Sequence, residues 1–268
     1  MARDTDKDWE VLGEREPYWG VITHEEYRRE NLTEDAISEF YETGARYADL
    51  LFETIRARLD PGFAPAKVLD FGCGVGRVTI PLAQKCELAV GVDVSPGMLA
   101  EARARCESLG ITNARFIVGE DSLEDRSQSF DLIHAFIVMQ RIPPPRGVAI
   151  LRRLIDLLAE GGVCALHVGY GERLRRHPGA DASLDRRVRH RGGRLARRVA
   201  QPLFSRVRPR VDRSGPAPVR SYEYDLNAVF KIVQEAGIRR MHVEYTDHAS
   251  LYGVILFFQL VADAAYIA

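Results

Sequence analysis

The stretch Val68–Thr79, VLDFGCGVGRVT, limits what this chain can fold into more than any other. Apolar and β-branched residues run into an acid, Asp70; Gly72, Gly74 and Gly76 follow, and helix-compatible sequence resumes at Arg77. That order reads as strand, tight turn, helix. So abrupt a turn needs positive φ, and a missing Cβ lets a ligand approach the backbone. Amides at the start of the helix that follows favour a negative group above the turn. A glycine-rich turn alone serves many ligands, so the neighbouring segments decide what sits there.

Downstream, strand and helix signals alternate: strands over 68–71, 88–93, 114–118, 130–136 and 163–168, helices over 78–84, 96–107 and 146–158. This alternation argues for a parallel sheet with helices on both faces. Ser95 stands as N-cap ahead of Pro96, and a stripe of Leu151, Leu154, Leu157 and Leu158 ends at Gly161 and Gly162. Asp225 caps a further helix that Gly237 stops. Two β-rich runs, 241–246 and 253–260, have too short a linker for a helix and pair antiparallel. The expected fold class is α/β: a mostly parallel seven-stranded sheet, helices on both faces and a C-terminal antiparallel hairpin, in a three-layer sandwich.

Upstream, a helix begins near Thr33 with Glu34 and Asp35 in its first turn, where the helix dipole favours acids. Ile37, Phe40, Tyr41, Ala48, Leu51, Phe52, Ile55 and Leu59 give it one apolar face until Pro61, Gly62 and Pro65 end it. With the aromatic-dotted leader before it, this makes an N-terminal helical cap over 1–66. The remainder, 67–268, reads as one domain, interrupted by an insertion at about 169–221 that is too long for a plain connection.

That insertion is charged. Residues 171–220 hold 15 arginines, no lysine and four acids, whereas 1–66 hold 16 acids against 8 bases, although the whole chain is at −1. The two regions can satisfy each other across a cleft or serve a partner. Leu195, Val199 and Leu203 fit a short basic amphipathic helix. Three readings of the stretch stay open: a cover paired with the acidic N-terminal region, a grip on an acidic or glycosylated acceptor, or a surface for nucleic acid or anionic membrane. A single aromatic in it, Phe204, offers no stacking platform for nucleic acid. The charged N-terminus and the lack of a long apolar run predict a soluble cytoplasmic protein without a membrane span. Cys73, Cys86, Cys106 and Cys164 lack metal or disulfide spacing, so no metal is expected.

The second strand ends in Asp93, 21 residues beyond Gly72. An acid at that strand tip accepts hydrogen bonds from ribose hydroxyls. A nicotinamide-binding dehydrogenase shares this arrangement but normally shows G-x-G-x-x-G, whereas the spacing here is G-x-G-x-G with Arg77 next. Together VLDFGCGVGR (68–77), GVDVSPGMLAEAR (91–103), GEDSL (119–123), FDLIHAFIVMQRIP (130–143) and LLAEGGVCALHV (157–168) resemble the class I, seven-strand S-adenosylmethionine-dependent methyltransferases in order and spacing. The resemblance implies S-adenosyl-L-methionine as cofactor. It implies a methionine site over Asp70, Gly72, Cys73 and Gly74, with Arg77 and Phe136 nearby. It implies a ribose on Asp93, and adenine beside Val94 and Met98 with its amine near Asp121, Ser122 and Leu123.

Methyl transfer is an in-line displacement, so positioning and exclusion of water carry much of the catalysis, and a hydroxyl acceptor also needs a proton acceptor. Asp247 with His248, helped by His167, is the expected catalytic group. Adjacent residues on an extended segment point to opposite faces, so Asp247 and His248 need not touch. His134 and His242 read as satisfied sheet residues. The sequence VMQRIP after the fourth strand lacks the acid-or-amide, double-proline and aromatic pattern of enzymes that methylate exocyclic amines. Many small-molecule members of the family have a histidine where this chain has Arg141, which cannot act as a base at neutral pH. Arg141 and Gln140 are expected to bind substrate, together with Tyr18, Trp19, Tyr170 and Tyr245. YDLN (224–227) and YTDH (245–248) resemble a subgroup associated with glycan or natural-product biosynthesis. The function expected is O-methylation of a small molecule or saccharide, anionic acceptors included. The alternatives are an RNA or protein methyltransferase and a non-catalytic binding module.

Overall fold

The computed structural model describes residues 4–119, 128–172, 210–248 and 251–261. Its centre is a seven-stranded sheet built from β1 (Lys67–Phe71), β2 (Leu88–Asp93), β3 (Ala114–Val118), β4 (Phe130–Ala135), β5 (Leu158–Glu172), β8 (Arg240–His248) and β9 (Leu251–Gln259). The order across the sheet is β3-β2-β1-β4-β5-β9-β8. The first five strands are parallel, while β9 runs antiparallel to both β5 and β8. This is the expected fold class. The order reverses between β1 and β4, which opens a crevice at the carboxyl ends of the strands.

Strand parity divides the sheet into two faces. Leu69, Phe71, Ile133, Ala135, Leu166 and Leu256 share a core with α6 (Pro144–Asp156) and α7 (Leu226–Glu235). Val68, Leu132, Val163, Ala165 and Phe257 pack on the other face against α3 (Glu34–Arg58) and α4 (Thr79–Ala83). Burying both faces explains why these strands read as nearly continuous apolar runs.

Local chemistry starts and stops the helices. The Thr33 hydroxyl accepts the Ala36 amide at the head of α3, Ser95 accepts the Met98 amide at the head of α5 (Pro96–Ser108), and Asp225 accepts the Asn227 amide at α7. Gly237 ends α7 at φ +83°. Helix α6 starts earlier than its leucine stripe suggests, because the proline at its first position is pre-set for helix. It also stops earlier, because Leu158 pairs with Phe130 as β5 begins.

Two parts differ from expectation. The leader is helical, as α1 (Asp4–Arg15) and α2 (Pro17–Val21), and Leu12, Tyr18 and Trp19 pack with Phe40, Tyr41 and Met98 in a third apolar cluster. Helix α1 crosses α5 so closely that a Cβ on Gly97 would lie 2.8 Å from the Gly13 carbonyl. A second, two-stranded antiparallel sheet joins β6 (Arg210–Asp212) to β7 (Val219–Ser221). Residues 173–209, with most of the arginine-rich stretch and its expected short helix, lie outside the described residues. Among the described residues no helix is long and apolar enough to cross a membrane. The four cysteines form no disulfide.

Candidate active site

The glycine turn is held against the tip of β2. The Gly72 and Cys73 amides donate to the Val92 carbonyl at 2.7 and 3.0 Å, and the Gly74 amide donates to Asp93 Oδ2 at 2.9 Å. Gly72, Gly74 and Gly76 have φ of +73°, +55° and +78°. A Cβ on Gly72 would lie 2.3 Å from a Val138 methyl, so the conformation and the space both require glycine. The amides of Gly72, Cys73, Gly74 and Gly76 are all bonded within the protein, and α4 spans only five residues. These four amides therefore hold the turn itself.

A cleft of about 850 Å³, counting the solvent at its mouth, opens above this turn. Gly72, Gly74, Asp93, Val94, Met98 and Phe136 line it, as does Arg141. Asp93 Oδ1 accepts the Ser95 amide at 2.9 Å and Oδ2 accepts Gly74, so each oxygen keeps a second lone pair. Burial raises the Asp93 pKa against the opposing effect of those two amides.

The other wall was not legible in the sequence. Thr5, Asp6 and Trp9 of α1 and Gly20 and Val21 of α2 face the cleft, as do Ile137, Val138, Ile142 and Arg146. Ile137 is the one non-glycine residue at positive φ, 61°, among the described residues. Asp6 accepts from Arg146 at 2.7 Å, and Asp8 pairs with Arg220 of β7. Arg141 donates to the Ser221 hydroxyl at 2.5 Å. The acidic leader thus meets the basic far rim across the cleft.

Several expected site residues lie elsewhere, for reasons of parity. Asp70 alternates with Phe71 and turns toward α3, where it is buried: Oδ2 accepts from Thr79 at 2.5 Å and Oδ1 from His134 Nδ1 at 2.7 Å. Tyr47 stands 3.2 Å from His134 Nε2, and its burial raises the hydroxyl pKa, so it stays protonated. Cys73 is buried with its thiol pKa raised by burial, and Arg77 reaches back to Thr43 at 3.1 Å. Neither borders the cleft.

Of the expected catalytic group, His167 and Asp247 do not line the cleft. His167 is buried beneath the sheet face, with Nδ1 3.2 Å from Gln140 Oε1 and Nε2 2.8 Å from the Thr246 hydroxyl. Asp247 follows Thr246 in β8 and is exposed, since neighbouring side chains on a strand alternate. His248 ends β8, and its side chain lies outside the described residues, as do Asp121, Ser122 and Leu123. Gln140 is therefore a partner of His167. Tyr170 stacks on Tyr252, Tyr245 is 83% exposed, and Tyr18 and Trp19 are core residues of α2. His134 is satisfied within the sheet, as expected.

Comparison with known proteins gives the same outline. Residues 68–162 match the family described as Methyltransferase domain. Over 106 residues the chain is 40% identical to trans-aconitate 2-methyltransferase of Deinococcus radiodurans, covering 38% of each protein. It is 32% identical over 111 residues to ubiquinone biosynthesis O-methyltransferase of Xanthomonas axonopodis, covering 41% of this chain and 45% of that one. A 28% match over 144 residues, 49% of this chain and 31% of the other, is to a 23S rRNA (uracil(1939)-C(5))-methyltransferase of Stenotrophomonas maltophilia. The matched part spans less than half the length of each of these relatives. Among solved structures, magnesium protoporphyrin IX methyltransferase from Synechocystis with bound SAH superposes at a TM-score of 0.55 and 21% identity, over 90% of this chain and 92% of that one, which is a likeness of fold. Residues 68–162 therefore carry the match to the methyltransferase domain family, on a sheet with the seven-stranded class I methyltransferase fold.

Proposed function

We propose that this protein is an S-adenosylmethionine-dependent methyltransferase that methylates an oxygen atom of a small molecule or saccharide. The observation that carries the reading is Asp93. Its carboxylate is fixed by two backbone amides at the edge of the cleft, with one lone pair on each oxygen left for a vicinal pair of ribose hydroxyls. The residues fit the cofactor in two further respects. Gly72 and Gly74 bring bare backbone to the cleft beside that acid, and the apolar side chains of Val94 and Met98 stand next to it where a base would lie. When bound, the cofactor supplies a methyl group on a sulfonium, open to displacement by a nucleophile in line with the S–C bond.

The protein's part is then to orient the two reactants and exclude water. Trp9, Val21, Phe136, Ile137 and Val138 make the cleft largely apolar, and α1 closes one side of it. The names of two relatives, a trans-aconitate and a ubiquinone-pathway methyltransferase, support a small-molecule acceptor and transfer to oxygen. A second reading, RNA as acceptor, is favoured by the rRNA methyltransferase relative and by the 15 arginines in 171–220. Steeply salt-dependent RNA binding that disappears on deletion of that stretch would select it.

The test is binding of S-adenosylhomocysteine to the intact protein, followed by transfer of a labelled methyl group to a panel of acceptors. Saturable binding that raises the thermal midpoint is expected. No shift in a correctly folded sample would sink the reading.

A further inference from the structure

Arg141 and Arg146 stand on one side of the cleft at the two ends of a stiff spacer. Residues 142–145 read Ile-Pro-Pro-Pro, with Arg141 closing a short 3₁₀ turn before them and Arg146 in the first turn of α6 after them. Three consecutive prolines fix φ near −65°, so the distance between the arginines varies little. Both line the cleft, as do Ile137 and Val138 between β4 and Arg141. Arg146 lies under the α1 helix, and what meets it there is a carboxylate: Asp6 Oδ1 at 2.7 Å. Arg141 is held by Ser221 at 2.5 Å, an oriented guanidinium at the same rim.

The rest of the wall narrows the chemistry. Its titratable side chains among the described residues are Asp6, Asp93, Arg141 and Arg146. None is a histidine, and the acid at this end is tied to an arginine. A substrate that arrives already ionised suits such a wall, because its negative charge matches the guanidinium groups and needs no proton acceptor.

We infer that the cleft holds a carboxylate subsite, in which a carboxylate of the acceptor binds Arg141 and Arg146 in the place that Asp6 takes on Arg146. Asp6 is then an internal competitor for the subsite. The acceptor is a small carboxylic acid, and the inference rests on the methyltransferase reading above.

The same ion pair, cut from its two sides, gives opposite results, which a purely structural role does not. The probe is tricarballylate, titrated into the full chain saturated with S-adenosylhomocysteine in chloride buffer, with its neutral trimethyl ester as control. Tricarballylate, and not the ester, should bind and raise the thermal midpoint. Arg146→Gln and Arg141→Gln should each weaken it about tenfold or more, the loss of one charge-assisted contact. Asp6→Asn should tighten it about threefold, because a competing anion is removed while the arginine stays. Absence of tricarballylate binding to the wild type, or weakening by Asp6→Asn as well as by Arg146→Gln, would overturn the subsite. If S-adenosylhomocysteine itself fails to bind, the functional reading fails instead.

Discussion

Replacing Asp93 with Asn changes one atom and tests the link between the β2 tip and the cofactor. In the fold, the two carboxylate oxygens accept the Gly74 and Ser95 amides, each at 2.9 Å. Asparagine has one oxygen, so one amide must face an NH₂ group, and a buried donor left unmet costs about 1–3 kcal/mol. For a chain somewhat above 250 residues that lowers the midpoint by about 2–10 °C. The effect on binding is separate. Hydrogen bonds to a charged acceptor contribute about 1.5–3 kcal/mol, and losing that share weakens S-adenosylhomocysteine about 10- to 150-fold. At a ligand concentration of about 100 Kd the wild type gains about 2.7 kcal/mol of stability, and a 100-fold weaker variant gains only about 0.4. Thermal unfolding with and without ligand, backed by calorimetric titration, reads both numbers. If Asp93→Asn lowers the midpoint yet keeps the full ligand-induced rise, Asp93 serves the turn alone and the ribose assignment is refuted.

Burial raises the Asp93 pKa, and the consequences for folding and binding have opposite signs. Folding gains from the raised value fully below the unfolded-state pKa and loses that gain as pH rises through the folded-state value, whereas ribose hydroxyls donate to the ionised form, so affinity for S-adenosylhomocysteine should fall as pH drops through the same window. Isothermal titration across mildly acidic pH checks this, and a flat affinity profile would contradict it. Gly44→Ala in α3 places a Cβ 1.9 Å from the Arg77 carbonyl, just behind the glycine turn. The overpacking cost of about 1–3 kcal/mol should exceed the helix-propensity gain of about 1 kcal/mol, because backbone cannot rotate away as a side chain can; chemical denaturation measures the net.

The sheet and the β2 tip were legible because local and global signals agree there. The strands over 88–93 and 114–118 have the bounds that their apolar runs predict, and Ser95-Pro96 announces α5 by capping chemistry alone. Asp70 shows where a motif misleads: the turn suggests a ligand contact, yet parity with Leu69 and Phe71 places its carboxylate under α3, beside His134. Alternation was sufficient to see this. Helix α1 was hidden for another reason. Trp9, Val11 and Leu12 lie among acids, and what holds the helix is contact with Gly97, Ser95 and Met98, more than eighty residues away in sequence. Arg146 reads locally as a helix-start residue, and only the folded path of Pro143–Pro145 sets it on the cleft.

Ile137 carries a consequence of its own. A β-branched residue held at φ 61° sits in a region that costs an L-residue about 1–2 kcal/mol, and the strain falls on the cleft wall immediately after β4. Glycine at this position would relieve it and make the protein more heat-resistant while removing a side chain from the wall. The chain keeps isoleucine there, so this short segment stores energy that the surrounding core must hold in place. The shape of this part of the cleft wall is thereby obtained at the expense of global stability.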